Sequence, residues 1–173
     1  MTTEEEFVEF AEASSARLRR AAFLLCGDWH DAEDLTQTAL AKVFVSWRKI
    51  NRQDAAHAYA IKTLVNTYLA DRRRKRPHEI LTDEFPESLT DPTAPETRIV
   101  VLKALAALPP GGRAVLMLRF WADLSVDQVA AVLGCSPGNV KSQSARALDK
   151  LRVALGDSLT ETEHPDPTEV THG

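Results

Sequence analysis

The stretch DWHDAEDLTQTAL, residues 28–40, carries side chains that could do chemistry. Within seven positions it places one histidine and four carboxylates, namely Asp28, His30, Asp31, Glu33 and Asp34. Such a group can bind a metal ion, or it can supply the acid and the base of a hydrolase. The alternative is an acidic helix face that contacts a partner.

Helix geometry disfavours the metal site. His30 and Asp31 are neighbours in sequence and diverge on a helix, and His30 meets only Asp34 at a spacing of four. Asp28 suits an N-cap after Gly27, and we expect Asp31, Glu33 and Asp34 in the first turn, where carboxylates favour the positive helix end. The helix would then bury an apolar stripe and expose a polar face, which consists of Asp31, Glu33, Asp34 and Gln37.

Helices must position these residues, because strand signals are nearly absent and helical periodicity runs through the chain. The 173 residues are 44% hydrophobic, which suits one folded domain or two small ones. No apolar run approaches the roughly 18 residues of a membrane span, and the acidic start does not suit a targeting peptide. Cys26 and Cys135 are expected to be buried thiols. We therefore expect an all-α, cytoplasmic protein without membrane insertion.

Charge divides the chain into blocks. Residues 37–76 contain ten Lys and Arg against two acids, and residues 98–156 contain eight against three. The segments 1–12, 77–97 and 157–173 carry acids and no Lys or Arg. Two basic blocks between acidic segments suggest a polyanionic partner. Charge alone leaves solvated helix faces as an equal alternative.

The predicted organisation is two small helical domains joined by a flexible acidic linker. The first domain is 1–76 and ends in a basic run before Pro77. The Pro- and acid-rich segment 77–95 has the composition of a linker. The second domain is 96–156, and a disordered acidic tail follows at 157–173.

The second domain has the pattern of a helix-turn-helix, in the segment SVDQVAAVLGCSPGNVKSQSARALDKLR, residues 125–152. Ser125 and Gln128 form a capping box, Gly134 ends the first helix, and Ser136 with Pro137 begins the second. The second helix would expose small polar, amide and basic side chains for the major groove. The candidate DNA-binding residues are the N-cap residue Ser136 and, along the helix, Asn139, Lys141, Ser142, Gln143 and Arg146.

The first domain offers a second candidate DNA surface. On the helix after Asp54, the non-core stripe consists of Tyr59, Lys62, Thr63, Asn66 and Arg73. An aromatic ring, an amide and bases on one face suit single-stranded DNA, whose bases stack and whose phosphates pair with cations. The preceding loop could receive an unstacked base and adds Trp47, Arg48, Asn51 and His57. Taken alone, Trp47 is more typical of a core.

Together these segments resemble a bacterial sigma factor of the extracytoplasmic-function type, a group of the sigma-70 family. GDWHDAEDLTQTAL resembles its polymerase-docking helix, AYAIKTLVNTYLADRRRKR its −10 promoter helix, and residues 102–152 its −35 binding domain. The resemblance covers about residues 5–155. It implies sigma region 2 at 1–76 and sigma region 4 at 96–156.

The resemblance also implies the partners. Core RNA polymerase would bind through its β′ coiled coil, to Asp28, Asp31, Glu33, Asp34 and Gln37, and through its β flap. Promoter DNA would bind as a −35 duplex and as a melted −10 strand, and an anti-sigma factor is plausible. No cofactor, metal or enzymatic activity is expected. Gln143 stands where Arg is common in the family, and an amide prefers adenine whereas Arg prefers guanine.

Two other hypotheses of function remain open. A stand-alone helix-turn-helix regulator would bind a palindrome as a dimer, but no strong dimerisation helix is apparent. It would also leave the acidic helix and the presence of a second basic block unexplained. A metal-dependent hydrolase would use Asp28, His30, Asp31 and Glu33.

Overall fold

A computed structural model describes residues 2–50, 53–74 and 95–159, and within these ranges short connections join helices and no strand occurs. The first domain contains α1 (Thr3–Cys26), α2 (Trp29–Ser46) and α3 (Gln53–Arg74), with a 3-10 turn at Trp47–Lys49. The second contains α4 (Pro95–Ala106), α5 (Pro110–Leu116), α6 (Val126–Leu133) and α7 (Pro137–Leu159). The all-α fold in two helical parts is confirmed. The predicted linker, apart from Pro95, and the tail beyond Leu159 lie outside the described residues.

In the first domain, three helices pack pairwise around one apolar core. α1 begins at a capping box in which Thr2 and Glu5 satisfy each other's backbone amides. It ends at Gly27, whose φ of 68° lies in the left-handed region that favours glycine. The core is built from residues at helical spacing on all three helices, including Leu18, Phe23, Val43, Leu64 and Val65.

In the second domain, α6 and α7 form the predicted helix-turn-helix. The Ser125–Gln128 capping box begins α6, and Gly134, with a φ of 66°, ends it. Val129 and Val140 are fully buried between the helices. The apolar faces of α6 and α7 therefore pack together, and the polar side of α7 faces solvent.

The helix that begins at Pro110 does not stay α-helical to its end. α5 ends at Leu116 and continues as a π-helical turn, Met117–Trp121, in which the amide of Ala122 donates to the carbonyl of Met117 at 2.9 Å. Arg119 holds the end of this turn, because its guanidinium donates to the carbonyl of Leu124 at 2.7 Å.

The two domains pack against each other, which the prediction of tethered domains did not include. Helices α1 and α3 contact α5, and α3 also contacts α6. Arg113 is buried at this junction and donates to three backbone carbonyls: Leu105 and Leu25, each at 2.7 Å, and Ala106. Within the described ranges, no helix is long and apolar enough to span a membrane.

Candidate nucleic-acid interface

The acidic stretch forms the beginning of α2. Asp28 is the N-cap, and its carboxylate accepts from the amide of His30 at 2.9 Å. Of the three carboxylates expected in the first turn, only Asp31 lies there, because the helix begins at Trp29. The placement of Glu33 and Asp34 in that turn was therefore wrong. Asp31, Asp34 and Gln37 are exposed, as predicted for this face.

Glu33 has a partner inside the domain. Its carboxylate pairs with the Arg19 guanidinium at 2.7 Å, which joins α2 to α1. An ion pair at such half-exposed side chains contributes roughly 0–1 kcal/mol, so it orients Glu33 more than it stabilises the fold. The described part of the chain holds no group of three or more His, Cys, Asp or Glu side chains placed to bind a metal ion.

On α3 the predicted polar stripe lies along the outer face. Tyr59, Lys62, Asn66 and Arg73 are exposed, and Thr63 is half-buried. Two hydrogen bonds order the start of the stripe: the Tyr59 hydroxyl donates to the Ser46 hydroxyl at 3.1 Å, and the Thr63 hydroxyl donates to the Tyr59 carbonyl at 2.8 Å. The stripe presents one aromatic ring, one amide and two cations.

The loop before α3 is less uniform. Trp47 packs with its ring centroid 5.1 Å from that of Phe10 and 5.4 Å from that of Phe7, so its indole belongs to an aromatic cluster. This packing weakens the case for Trp47 as a stacking platform. Arg48 is exposed, and Asn51 lies outside the described residues.

His57 is half-buried in a groove between the domains. Burial and the nearby positive charge of Arg17 lower the pKa of its imidazole. Its Nε2 is buried without a hydrogen-bond partner among the described residues. Arg17 was missed in the sequence because it lies on α1, forty positions before His57, with which it lines the groove.

The candidate DNA-binding residues of the second domain lie in the first half of α7. The Ser136 hydroxyl accepts from the amide of Asn139 at 3.1 Å and so caps the helix. Gln143 donates its side-chain amide to the Asn139 side-chain oxygen at 3.2 Å, which fixes two amide groups side by side. Lys141, Ser142 and Arg146 are exposed along the same half.

Family comparisons match both domains. The model for Sigma-70 region 2 matches residues 10–78, and that for Sigma-70, region 4 matches residues 98–151. The chain is 37% identical over 152 residues to the RNA polymerase sigma-E factor of Streptomyces coelicolor, with 87% of this chain and 86% of the relative covered. The chain belongs to the sigma-70 family of RNA polymerase sigma factors.

Further comparisons place this sigma factor in the extracytoplasmic-function group. It is 32% identical to the ECF RNA polymerase sigma factor SigM of Mycobacterium tuberculosis, over 81% of this chain and 72% of the relative. Its fold is similar to the sigma factor RpoE of Bartonella quintana, solved in complex with the anti-sigma factor NepR. The TM-score is 0.68 at 22% identity, with 88% of this chain and 96% of that chain covered.

The sigma factor binds core RNA polymerase and promoter DNA and directs promoter-specific transcription initiation. The stand-alone regulator is not favoured, because region 2 accompanies the helix-turn-helix. The family consists of initiation factors rather than enzymes.

Proposed function

We propose a division of labour between the two domains. The first domain, 1–76, docks on core polymerase and captures the melted −10 strand, and the second, 96–156, reads the −35 duplex. The observation that supports this most is the exposed stripe on α3, Tyr59, Lys62, Asn66 and Arg73, separate from the exposed polar half of α7.

For the −35 element, the first half of α7 lies in the major groove. Lys141 and Arg146 neutralise phosphates, and the amide groups of Asn139 and Gln143 read base edges. The bond between these two amides orders them before DNA binds. Gln143 still has one N–H and its oxygen available, which are the groups that pair with adenine. Ser136 and Ser142 complete the surface.

For the −10 element, the stripe on α3 receives an unpaired non-template strand. Tyr59 supplies a ring for stacking, whereas Lys62 and Arg73 lie where phosphates pass. Asn66 and Thr63 offer hydrogen bonds to a base edge, and Arg48, Asn51, His57 and Trp47 are the remaining candidates near the loop. These contacts offset an unstacking cost of roughly a few kcal/mol.

Core polymerase contacts both domains. Its β′ coiled coil binds the acidic face of α2, formed by Asp28, Asp31, Glu33, Asp34 and Gln37. Its β flap binds an apolar groove of about 330 Å³ that is formed mostly by the second domain, including Phe120 and Leu151, and is completed by Leu24 of α1. Phe120 is 61% exposed, so its ring is accessible to an apolar side chain of a partner.

Transcription in vitro tests the assignment. Core polymerase with this chain, on a genomic library, is expected to produce start sites that core polymerase alone does not. For the docking face, Asp34→Arg should abolish holoenzyme formation, whereas Glu12→Arg, the same reversal at an exposed site on α1, should not. Normal holoenzyme formation by Asp34→Arg would refute the docking assignment.

The recognition helix has its own test. Lys141→Ala should weaken binding to all −35 sequences and lower the salt dependence, while Lys150→Ala, later on α7, should change little. Gln143→Arg should shift the preferred base at one −35 position from adenine towards guanine. An unchanged preference would exclude Gln143 from base reading.

The remaining assignments follow from the family. An anti-sigma factor binds this chain, as NepR binds the neighbour of known structure. The chain works in the cytoplasm, where polymerase is, without enzymatic activity or a cofactor. The segment before Pro95, which begins α4, links the domains, and the residues after Leu159, which ends α7, form a tail.

A further inference from the structure

A groove of about 510 Å³ lies where α1, α3 and α6 meet. Its walls are mostly apolar and include Ile61 on α3, Leu124 before α6 and Val132 on α6. Grooves of this volume, with apolar walls and a few polar groups, are typical of small-molecule sites. The groove therefore has the size and the lining of a binding site, and its polar groups indicate which molecule fits.

The charge at the groove is positive. Arg17 and Lys62 line it from α1 and α3, and none of the described residues that line it is acidic. Within the described part of the chain, neither cation forms an ion pair. Arg17 instead places its guanidinium 5.3 Å from the ring centroid of Trp121, a contact that uses the charge but not the N–H donors. Two cations without an acidic partner favour an anionic ligand.

His57 adds a buried polar atom that lacks a partner. Its Nε2 is buried and makes no hydrogen bond to a described residue, and the side chain lines the groove from the same helix as Lys62. Such atoms are rare in folded proteins, because a buried polar atom without a hydrogen bond costs free energy. In the tautomer that carries its proton on Nε2, the imidazole can donate to a ligand oxygen. A third polar group thus favours an anion with oxygen acceptors.

We propose that this groove binds a small organic carboxylate with an aromatic body. The carboxylate pairs with Arg17 and Lys62 and accepts a hydrogen bond from the Nε2 of His57. Its two coplanar oxygens match the guanidinium fork, whereas the mostly apolar walls offer few donors for the additional oxygens of a nucleotide. The aromatic body lies on those walls, where Tyr59 supplies a ring. The site goes beyond the proposed function and does not depend on the −10 assignment of Tyr59 and Lys62.

Three probes separate the charge from the aromatic body. The first is β-naphthoate, which has both; β-naphthamide keeps the rings without the charge, and acetate keeps the charge without the rings. Ligand-observed NMR with the free full chain, at physiological salt, measures each dissociation constant. The naphthoate should bind saturably and at least about tenfold more tightly than either of the others. The ring-proton signals of His57, assigned by their loss in His57→Gln, should shift as the naphthoate binds.

Variants locate the probe in the groove. Arg17→Met and Lys62→Met each remove one cation and should weaken naphthoate binding at least about fivefold. Lys62→Met keeps the contact between Arg17 and Trp121, so its effect reports the charge and not the packing of the domains. Arg20→Met is the matched control, because Arg20 is exposed on α1 and does not line the groove.

A second pair of variants tests the space in the groove. Ala131→Trp fills it from the exposed wall on α6 and should abolish binding, whereas Ala107→Trp, exposed at the end of α4 and away from the groove, should not. Far-UV circular dichroism checks that each variant is folded.

Each contrary outcome overturns the proposal. Absence of saturable naphthoate binding to the parent chain removes the site. Equal affinities for β-naphthoate and β-naphthamide remove the anionic ligand, and acetate binding as tight as that of the naphthoate removes the aromatic body. Unchanged affinity in both cation variants, or in Ala131→Trp, places the probe elsewhere on the chain. These measurements contain neither DNA nor polymerase, so their failure leaves the proposed function standing.

Discussion

Replacing Arg113 by methionine should destabilise the chain by about 3 kcal/mol. Arg113 is only 8% exposed, and its guanidinium donates to the carbonyls of Leu25, Leu105 and Ala106. Leu105 keeps another donor, the amide of Leu108 at 3.0 Å. The carbonyls of Leu25 and Ala106 lie at helix ends, where in-helix donors run out.

The magnitude follows from those two carbonyls. Each buried acceptor left without a donor costs about 1–3 kcal/mol, which gives a loss of about 2–6 kcal/mol. Methionine avoids the cost of burying a charge, which offsets the upper part of that range. An intermediate value of about 3 kcal/mol is therefore expected.

Urea unfolding, followed by circular dichroism, measures the change in free energy of unfolding. Arg152→Met is the control, because Arg152 is 76% exposed and pairs with Asp149 at 3.7 Å. Its effect should stay within about 0.5 kcal/mol. If Arg113→Met costs under about 1 kcal/mol, the three bonds do not hold the junction as argued.

Three other perturbations have defined outcomes. Ser125→Ala removes the cap of α6 and should lower the free energy of unfolding by about 1 kcal/mol, while Ser142→Ala, exposed within α7, should not; equal losses would contradict the capping role. Cys26 and Cys135, both expected to be buried, are half-buried. Burial raises the pKa of the Cys26 thiol to about 12, so at about pH 8 a thiol reagent should label Cys135 and spare Cys26 until urea unfolds the chain; equal labelling rates in the folded chain would contradict this. The pKa of His57 is lowered from 6.5 in the folded state, so below pH 6.5 the unfolded state binds more protons and stability decreases as the pH is lowered. His57→Gln should reduce that fall in urea titrations above and below pH 6.5, and an identical pH dependence would exclude His57 as its source.

Local signals in the sequence predicted the helix ends well. Asp28, Ser125 and Gly134 act within three or four residues of themselves, through side-chain caps or a left-handed backbone, so the sequence alone determines them. The exposed stripe of α3 was likewise predictable, because helical spacing places Tyr59, Lys62 and Asn66 on one face.

Contacts between distant residues could not be predicted in the same way. Arg113 bonds to Leu25 across 88 positions, and Arg19 pairs with Glu33 across 14. The sequence shows an arginine in each case, but not which acceptor it meets. Trp47 illustrates the same limit, since its pattern fits both a stacking platform and the aromatic cluster that the structure shows.

The π turn at Met117–Trp121 determines the direction in which Trp121 points towards the first domain. A π turn accommodates one residue more than an α turn. Without that residue, the following positions would rotate by about 100° around the helix axis. Trp121, whose ring centroid lies 5.3 Å from the Arg17 guanidinium, would then turn away from that side chain. Val115 and Leu116, earlier in the helix, would keep their places. During evolution, the insertion or deletion of one residue in this turn would therefore change the contact between the two domains. It would leave the DNA-reading helix α7 intact.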